Sequence, residues 1–323
     1  EFTAEWYKNR SEDLLYGVPV PAQAGVSNTS VTMNAASMDN SGFEFSATYR
    51  NHDNPLKYDI SANVSTLKNK VTSLGFGTNS YITGSYATYV GQEVGQFYGW
   101  VYEGIARTQA DLDNHATQQG ANVGDCLYKD VSGPDGKPDG KIDAYDQVVL
   151  GSGLPKVNFG LSARLEYKNF DLTVSSYGAL NYHVSDDIYN SLNSCYGWGN
   201  KDVSILNANQ YSDDGKTYIS SVPRTYVTNN ASLAWNDLFS SRKIQNAAYW
   251  KIANIELGYN LPDKWFKGII SGARAYISAQ NVYTFTGYHG YNVDYAGGTF
   301  TPGYNFCSFP TPHTYMCGVQ FTF

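Results

Sequence analysis

Residues 156–167 read KVNFGLSARLEY, and in this stretch apolar and polar residues alternate at twelve consecutive positions. The apolar positions are Val157, Phe159, Leu161, Ala163, Leu165 and Tyr167. Residues 57–67 repeat the pattern with apolar residues at every second position from Tyr58 to Val64. Because successive side chains of a strand point to opposite faces, both stretches predict strands with one apolar and one polar face.

Short and long connections alternate between the predicted strands. We predict about eight strands, at residues 2–15, 42–51, 57–67, 156–167, 170–180, 249–260, 271–283 and 314–323. The connections 52–56, 168–169 and 261–269 are short, whereas 17–41, 68–155, 181–246 and 284–312 are long. Short turns at one end and long loops at the other are typical of outer-membrane barrels. The sequence therefore predicts an all-β fold, an antiparallel transmembrane β-barrel with long extracellular loops.

The composition agrees with this class of protein and excludes others. Only 16% of the 323 residues are charged, and the chain contains 28 Tyr and 31 Gly, as aromatic girdles and tight turns require. No apolar run approaches the roughly 18 residues of a transmembrane helix. The net charge of −7, with Lys and Arg scattered singly, argues against a nucleic-acid partner. Membrane lipid is the expected partner of the apolar faces.

Several polar and aromatic residues are candidates for substrate contact. In strand 271–283, Arg274, Tyr276 and Gln280 share one face, and Arg274 must face the lumen because a cation at the lipid midplane costs roughly 2–4 kcal/mol. The predicted loops are rich in aromatic and amide side chains, which suit the flat faces and hydroxyl edges of sugars. The loop candidates are Trp198, Tyr288 and Tyr291.

Residues 130–146, which we call the acidic segment, read DVSGPDGKPDGKIDAYD and resemble a calcium loop. Its aspartates are Asp130, Asp135, Asp139, Asp143 and Asp146. Counted from Asp135, acids stand at positions 5, 9 and 12 with Gly at 6, as in EF-hand loops, but position 3 is Lys137. Two alternatives remain open, a bound Ca²⁺ ion and a metal-free stack of Asp-Gly turns.

The sequence contains no pattern typical of an enzyme. The five His residues lie in separate predicted loops, and no nucleophile, phosphate-loop or zinc-protease motif occurs. We therefore expect no catalytic residues. The four cysteines lack metal-ligand spacing, although a Cys126–Cys195 disulfide is compatible with an oxidising compartment.

Four blocks of sequence resemble the SusC/RagA-type TonB-dependent transporters of the Bacteroidetes outer membrane. The blocks are GQEVGQFYGWVYEGI (91–105), the acidic run 125–151 followed by GSGLPK (151–156), YWKIANIELGYNLP (249–262), and AQNVYTFTGY (279–288) with the closing strand. Glu93 stands where the family usually has proline, which leaves the shape of that turn open. The likeness covers nearly the whole chain.

The resemblance implies that residues 1–323 are the C-terminal part of a 22-stranded barrel, whose N-terminal plug domain lies elsewhere. Because the sequence opens directly in a strand-like stretch, we expect a mature or truncated form. The family imports oligosaccharides or peptides with energy delivered by TonB, and it works with a SusD-like surface lipoprotein. The resemblance thus implies the outer membrane as the location.

Two other interpretations remain open. One is a complete eight-stranded barrel that serves as a surface adhesin or structural protein, which requires residues 2–15 to pair with 314–323. The other is a soluble secreted carbohydrate-binding module, because the strands of β-sandwiches also alternate.

Overall fold

The computed structural model describes residues 1–19, 30–75, 77–196, 199–226, 235–262, 265–266, 270–294 and 297–323. The strands are β1 (Phe2–Pro19), β2 (Ser30–Asn51), β3 (Leu56–Thr66), β4 (Lys68–Ser73), β5 (Ser80–Thr83), β6 (Tyr86–Tyr89), β7 (Gln96–Gly99), β8 (Tyr102–Ile105), β9 (Cys126–Tyr128), β10 (Val148–Gly151), β11 (Val157–Tyr167), β12 (Phe170–Leu180), β13 (His183–Asp186), β14 (Gln245–Asn246), β15 (Tyr249–Leu261), β16 (Gly272–Thr286), β17 (Tyr304–Asn305) and β18 (Thr314–Thr322). Two short helices are α1 (Gln109–Asp113) and α2 (Asp187–Leu192).

Eight long strands form one antiparallel sheet in the order β1-β2-β3-β11-β12-β15-β16-β18, with β4 added beside β2. These are the eight strands that the sequence predicts, and the short connections between β2 and β3, β11 and β12, and β15 and β16 all lie at the same end. No helix within the described ranges is both long enough and apolar enough to cross a membrane.

The two faces of this sheet differ in chemistry, as the alternation predicts. In the register of β3 with β11, Val64 lies opposite Phe159 and Ala62 opposite Leu161, all on one side that we call the apolar face. Side chains on this face remain exposed, including Trp6 at 62% and Ile277 at 59%. The other side, the polar face, carries Asn, Ser, Asp and Arg residues. So large an exposed apolar surface marks a contact with lipid or with another protein.

The long connections are themselves folded, and one prediction needs correction here. Residues 17–41 were expected to form a loop, but β1 and β2 pair from Phe2–Ala47 as far as Pro19–Ser30. Their far ends pack against the loop layer through a buried cluster around Tyr16, Met38 and Val71. Tertiary packing therefore extends this hairpin through a segment of low strand propensity. The remaining loops form small sheets, β10-β7-β6-β5, β14-β13-β17 and β8-β9.

Within the described residues, the main sheet does not close on itself. In the part of the chain that the structure describes, β1 pairs only with β2 and β18 only with β16. The closed eight-stranded barrel would need β1 and β18 to pair, and that pairing is absent from the described residues.

Candidate functional site

A cavity of about 840 Å³ lies against the polar face, near the end of the sheet that carries the long loops. Its walls come from the strands and from the segment that follows β16. Among the lining residues are Asn40, Asn158, Tyr182, Tyr249, Asp294 and Thr299. Neutral amides and aromatic rings beside one carboxylate can offer hydrogen bonds and flat apolar surfaces to a polar ligand.

The Asp294 carboxylate is the centre of a hydrogen-bonded cluster at this wall. Tyr177 donates to Asp294 Oδ2 at 3.0 Å, and Tyr249 donates to Oδ1 at 3.2 Å. Lys251 Nζ donates to Oδ2 as well, and the same ammonium lies 5.8 Å from the centre of the Tyr177 ring. The Lys251 side chain is only 4% exposed, so these partners take the place of water around its ammonium group. We call Tyr177, Tyr249, Lys251 and Asp294 the carboxylate cluster.

A β-bulge places Lys251 on the polar face. The register of β15 with β12 shifts between Asn254 and Ile252, which leaves Ala253 without a partner. Counted in strict alternation from Glu256, Lys251 would fall on the apolar face, and the extra residue moves it to the other side. Sequence reasoning missed Lys251 and Asp294. The sequence does indicate the bulge, because the adjacent apolar residues Ile252 and Ala253 interrupt the alternation.

Close backbone contacts at glycines bring the loops together around the cavity. A Cβ atom at Gly153 would lie 2.1 Å from the carbonyl oxygen of Pro302, and one at Gly95 would lie 2.4 Å from the Pro302 ring. Gly303 likewise lies against the carbonyl of His183, and its own carbonyl accepts from Ser185 N at 2.9 Å. Any side chain at these positions would separate the loops.

Glu93, which stands where the family usually has proline, pairs with a residue of a different loop. Its carboxylate forms an ion pair with Lys156, and both side chains are partly buried. Since Lys156 directly precedes β11, the pair ties the 91–99 turn to the start of the sheet strand. This ion pair accounts for an acidic residue where the family pattern has proline.

Three predicted contact residues lie on the polar face, as expected, but two of them contact residues of neighbouring strands in the sheet. Arg274 donates through Nε and Nη2 to Asp171, and through Nη2 to Glu256 at 2.7 Å. The Tyr276 ring covers Gly318 on the neighbouring strand, where an added Cβ would approach the ring to 2.6 Å. Gln280 remains exposed. Substrate contact by these residues stays a prediction.

The loop candidates differ sharply from one another. Tyr288 is buried, donates to Asp186 and accepts from Asn305 Nδ2 at 2.7 Å. Burial, followed by the Asp186 hydrogen bond, raises the pKa of Tyr288, so it remains a neutral structural donor. Tyr291 is 61% exposed and lines a smaller cavity of about 280 Å³ with Tyr189 and other residues. Trp198 lies outside the described residues.

The acidic segment uses its carboxylates mainly to bind its own backbone. Asp146 accepts from Val131 N, Ser132 N and Asp143 N at 2.8–3.1 Å. Asp130 accepts from Gly140 N at 2.7 Å, Asp139 from Lys141 N and Asp143 from Tyr145 N, whereas Asp135 is exposed. In the described chain, no three His, Cys, Asp or Glu residues are grouped as a metal site. Calcium binding here stays a prediction that requires these carboxylates to turn.

Cys126 and Cys195 are buried free thiols near each other in the loop layer. Their backbone amides donate to consecutive residues, Cys126 to Asn236 at 2.7 Å and Cys195 to Asp237 at 3.2 Å. Burial raises the pKa of Cys126 to about 12 and that of Cys195 to about 11. Both groups are therefore neutral thiols at physiological pH, and the disulfide that the sequence allows is absent.

Comparisons with known proteins place this geometry in context. No family model matches the sequence. "TonB-dependent receptor P3" of Formosa agariphila is 28% identical over 100% of this chain, which spans 32% of that relative. "TonB-dependent receptor SusC" of Bacteroides thetaiotaomicron is 24% identical over 98% of the chain, and here the matched part is 29% of the relative. The chain thus spans about a third of the length of the curated relatives it matches.

Solved structures of the RagAB peptide transporter have the same fold. One of them superposes with a TM-score of 0.76 at 24% identity, and the match covers 100% of this chain and 33% of the transporter chain. The structure of the RagAB peptide importer in the "open-open" state gives a TM-score of 0.73 with the same coverage. The predicted resemblance is confirmed: over its whole length this chain is similar to SusC/RagA-type TonB-dependent transporters, and its fold matches a β-barrel part that makes up 33% of the transporter chain.

Proposed function

We propose that this chain forms part of an outer-membrane barrel that imports a nutrient with energy delivered by TonB. The observation that carries the proposal is the whole-length similarity to TonB-dependent receptors. The two-faced sheet supports it, because an exposed apolar face suits lipid while the polar face suits a lumen. The work we propose for the chain is capture and passage of the substrate rather than bond-making chemistry.

The substrate is an oligosaccharide or a peptide, and the cavity on the polar face is part of its route. Asn158 and Tyr182 at the cavity, together with exposed Gln280 and Tyr291, provide amide and aromatic groups for either ligand. The matching solved structures are of a peptide transporter, and the family resemblance implies either oligosaccharides or peptides. Both substrate classes therefore belong in the first screen.

The partners follow from the same proposal. Among the residues that the structure describes, β1 and β18 have no partner on their outer sides, and such open edges are costly in lipid. We therefore assign them to the remaining strands of a larger barrel, which encloses a plug and contacts TonB through it. A SusD-like surface lipoprotein is the expected partner on the side of the long loops, which then face the cell exterior.

Uptake measurements in the source bacterium test this proposal. Cells that carry the intact transporter should take up a labelled oligosaccharide or peptide only when TonB and the proton-motive force are present. Asn158→Trp fills the cavity and should reduce uptake, whereas Ser162→Trp, on the polar face of the same strand, is the matched control. Uptake that persists without TonB, or without the transporter gene, would refute the proposal.

The native complex offers a second test. Peptide mapping of the detergent-extracted assembly should identify a plug-bearing segment and a surface lipoprotein beside this chain. Recovery of a 35.6 kDa chain that is folded and alone would instead favour the small-barrel alternative.

A further inference from the structure

The carboxylate cluster is built as a receptor for two carboxylate oxygens. Three donors from two adjacent strands converge on Asp294: the Tyr177 hydroxyl from β12, and the Tyr249 hydroxyl and Lys251 ammonium from β15. One oxygen receives Lys251 and Tyr177, and the other receives Tyr249. The donors belong to the sheet, whereas the acceptor belongs to the connection between β16 and β18.

The Lys251 ammonium is the buried member of the cluster, whereas the Asp294 carboxylate and the Tyr177 ring are accessible. Lys251 is 4% exposed and lies under the Tyr177 ring, whereas the Asp294 side chain is 30% exposed. Tyr249 and Asp294 both line the large cavity, so a ligand there meets these two members of the cluster first. A buried ammonium requires an anionic partner, but that partner need not be Asp294.

We propose that Tyr177, Tyr249 and Lys251 form a binding site for a carboxylate on the imported ligand, and that Asp294 occupies this site when no ligand is bound. This inference rests on the proposed import function and narrows its substrate to acidic molecules. The ligand carboxylate replaces Asp294 on the same three donors, and Asp294 turns toward water. Charge balance is preserved, because one carboxylate leaves Lys251 as another arrives.

The exchange also affects the loop. Asp294 joins the segment after β16 to the sheet, while the same segment is held further along by the contact of Pro302 with Gly153. Displacement of Asp294 therefore removes one contact between this segment and the sheet, while the contacts of Tyr288 with Asp186 and of Pro302 with Gly153 stay in place. Ligand binding is thus coupled to the loss of one loop contact.

Paired probes that differ only in charge test this site on the intact transporter in detergent. One pair is trigalacturonate and its methyl ester, and the other is N-acetyl-trialanine and its C-terminal amide. Isothermal titration should give at least about tenfold tighter binding for the acidic member of one pair. The pair that shows the difference identifies the carboxylate source as a uronic acid or a peptide terminus.

Variants of the cluster should move the affinity in opposite directions. Asp294→Asn removes the internal competitor and should tighten binding of the acidic probe, whereas Lys251→Met should abolish the preference for it. Lys156→Met, which loses a partly buried lysine paired with Glu93, is the control and should retain the preference. If Lys251→Met does not fold, Tyr249→Phe removes one donor and should lower the preference several-fold.

Equal binding of the acidic and neutral probes would overturn the inference. It would also be overturned if Asp294→Asn bound the acidic probe more weakly than the unmodified transporter does, or not at all. TonB-dependent uptake is measured on the same variants. Uptake that persists without a preference for acidic probes would refute only the carboxylate site, whereas loss of TonB dependence in the unmodified transporter would refute the import function itself.

Discussion

Replacement of Arg274 by Met tests whether the ion pairs on the polar face stabilise the sheet. Arg274 joins three strands, since it lies on β16, binds Asp171 on β12 through two donors and binds Glu256 on β15. Met keeps an unbranched apolar side chain about as long as the aliphatic part of Arg, and it carries no charge. The change removes one cation and leaves two carboxylates facing each other.

The expected loss of stability follows from what Asp171 retains. Its side chain is 6% exposed, and without Arg274 its remaining side-chain hydrogen bond among the described residues is from the Asn260 amide at 3.3 Å. Removal of one partner from a buried ion pair costs about 3–5 kcal/mol because the other charge is left uncompensated. Since Arg274 and Glu256 are partly exposed, we expect a loss of about 3 kcal/mol, near the lower limit of that range.

Guanidinium unfolding of the intact transporter in detergent, followed by its heat-modifiable migration on gels, measures the effect. Arg164→Met is the matched control, because Arg164 lies on the same face and its pair with Glu166 is exposed. We expect that control to change the free energy of unfolding by no more than about 0.5 kcal/mol. Adding Asp171→Asn to Arg274→Met should restore more than half of the loss, since one unpaired charge disappears.

A loss below about 1 kcal/mol for Arg274→Met would refute this reasoning, because it would mean that water already compensates the Asp171 carboxylate. A loss equal to that of Arg164→Met would show that burial of the ion pair has no energetic consequence.

Three further results are expected. Gly318→Ala should lower the thermal midpoint of unfolding and reduce the free energy of unfolding by about 1–3 kcal/mol, because the Tyr276 ring that covers this glycine must move. In the control Gly272→Ala, the added Cβ meets no atom within 4 Å and should have little effect. Iodoacetamide at pH 8 should label exposed Cys307 and leave Cys126 and Cys195 unmodified, because burial raises the pKa of both of these thiols. Mass spectrometry of peptides measures the labelling, and rapid modification of either buried cysteine in the folded protein would contradict the prediction. If the acidic segment binds Ca²⁺, calorimetry should detect it in the chelator-treated transporter, and Asp146→Asn should weaken it; absence of heat leaves the metal-free turns as the correct alternative.

Local sequence patterns predicted much of this architecture. A period of two at 57–67 and 156–167 specifies a strand with two different faces, because side-chain direction depends only on position along the strand. The placement of Arg274 on the polar face followed from the cost of a cation in lipid, and the structure places it there. The glycine-rich blocks at 91–105 and 151–156 also predicted the resemblance, and close contacts at Gly95 and Gly153 explain them.

Tertiary structure alone decided which side chains meet. Tyr288 was a candidate for ligand contact, but its hydroxyl is used by Asp186, which lies 102 residues earlier in the sequence. Lys251 meets Asp294 only because a bulge at Ala253 reverses the face of the strand and a distant segment folds back onto the sheet. Alternation determines the two faces of each strand locally, whereas pairings between distant charges depend on register, bulges and loop closure.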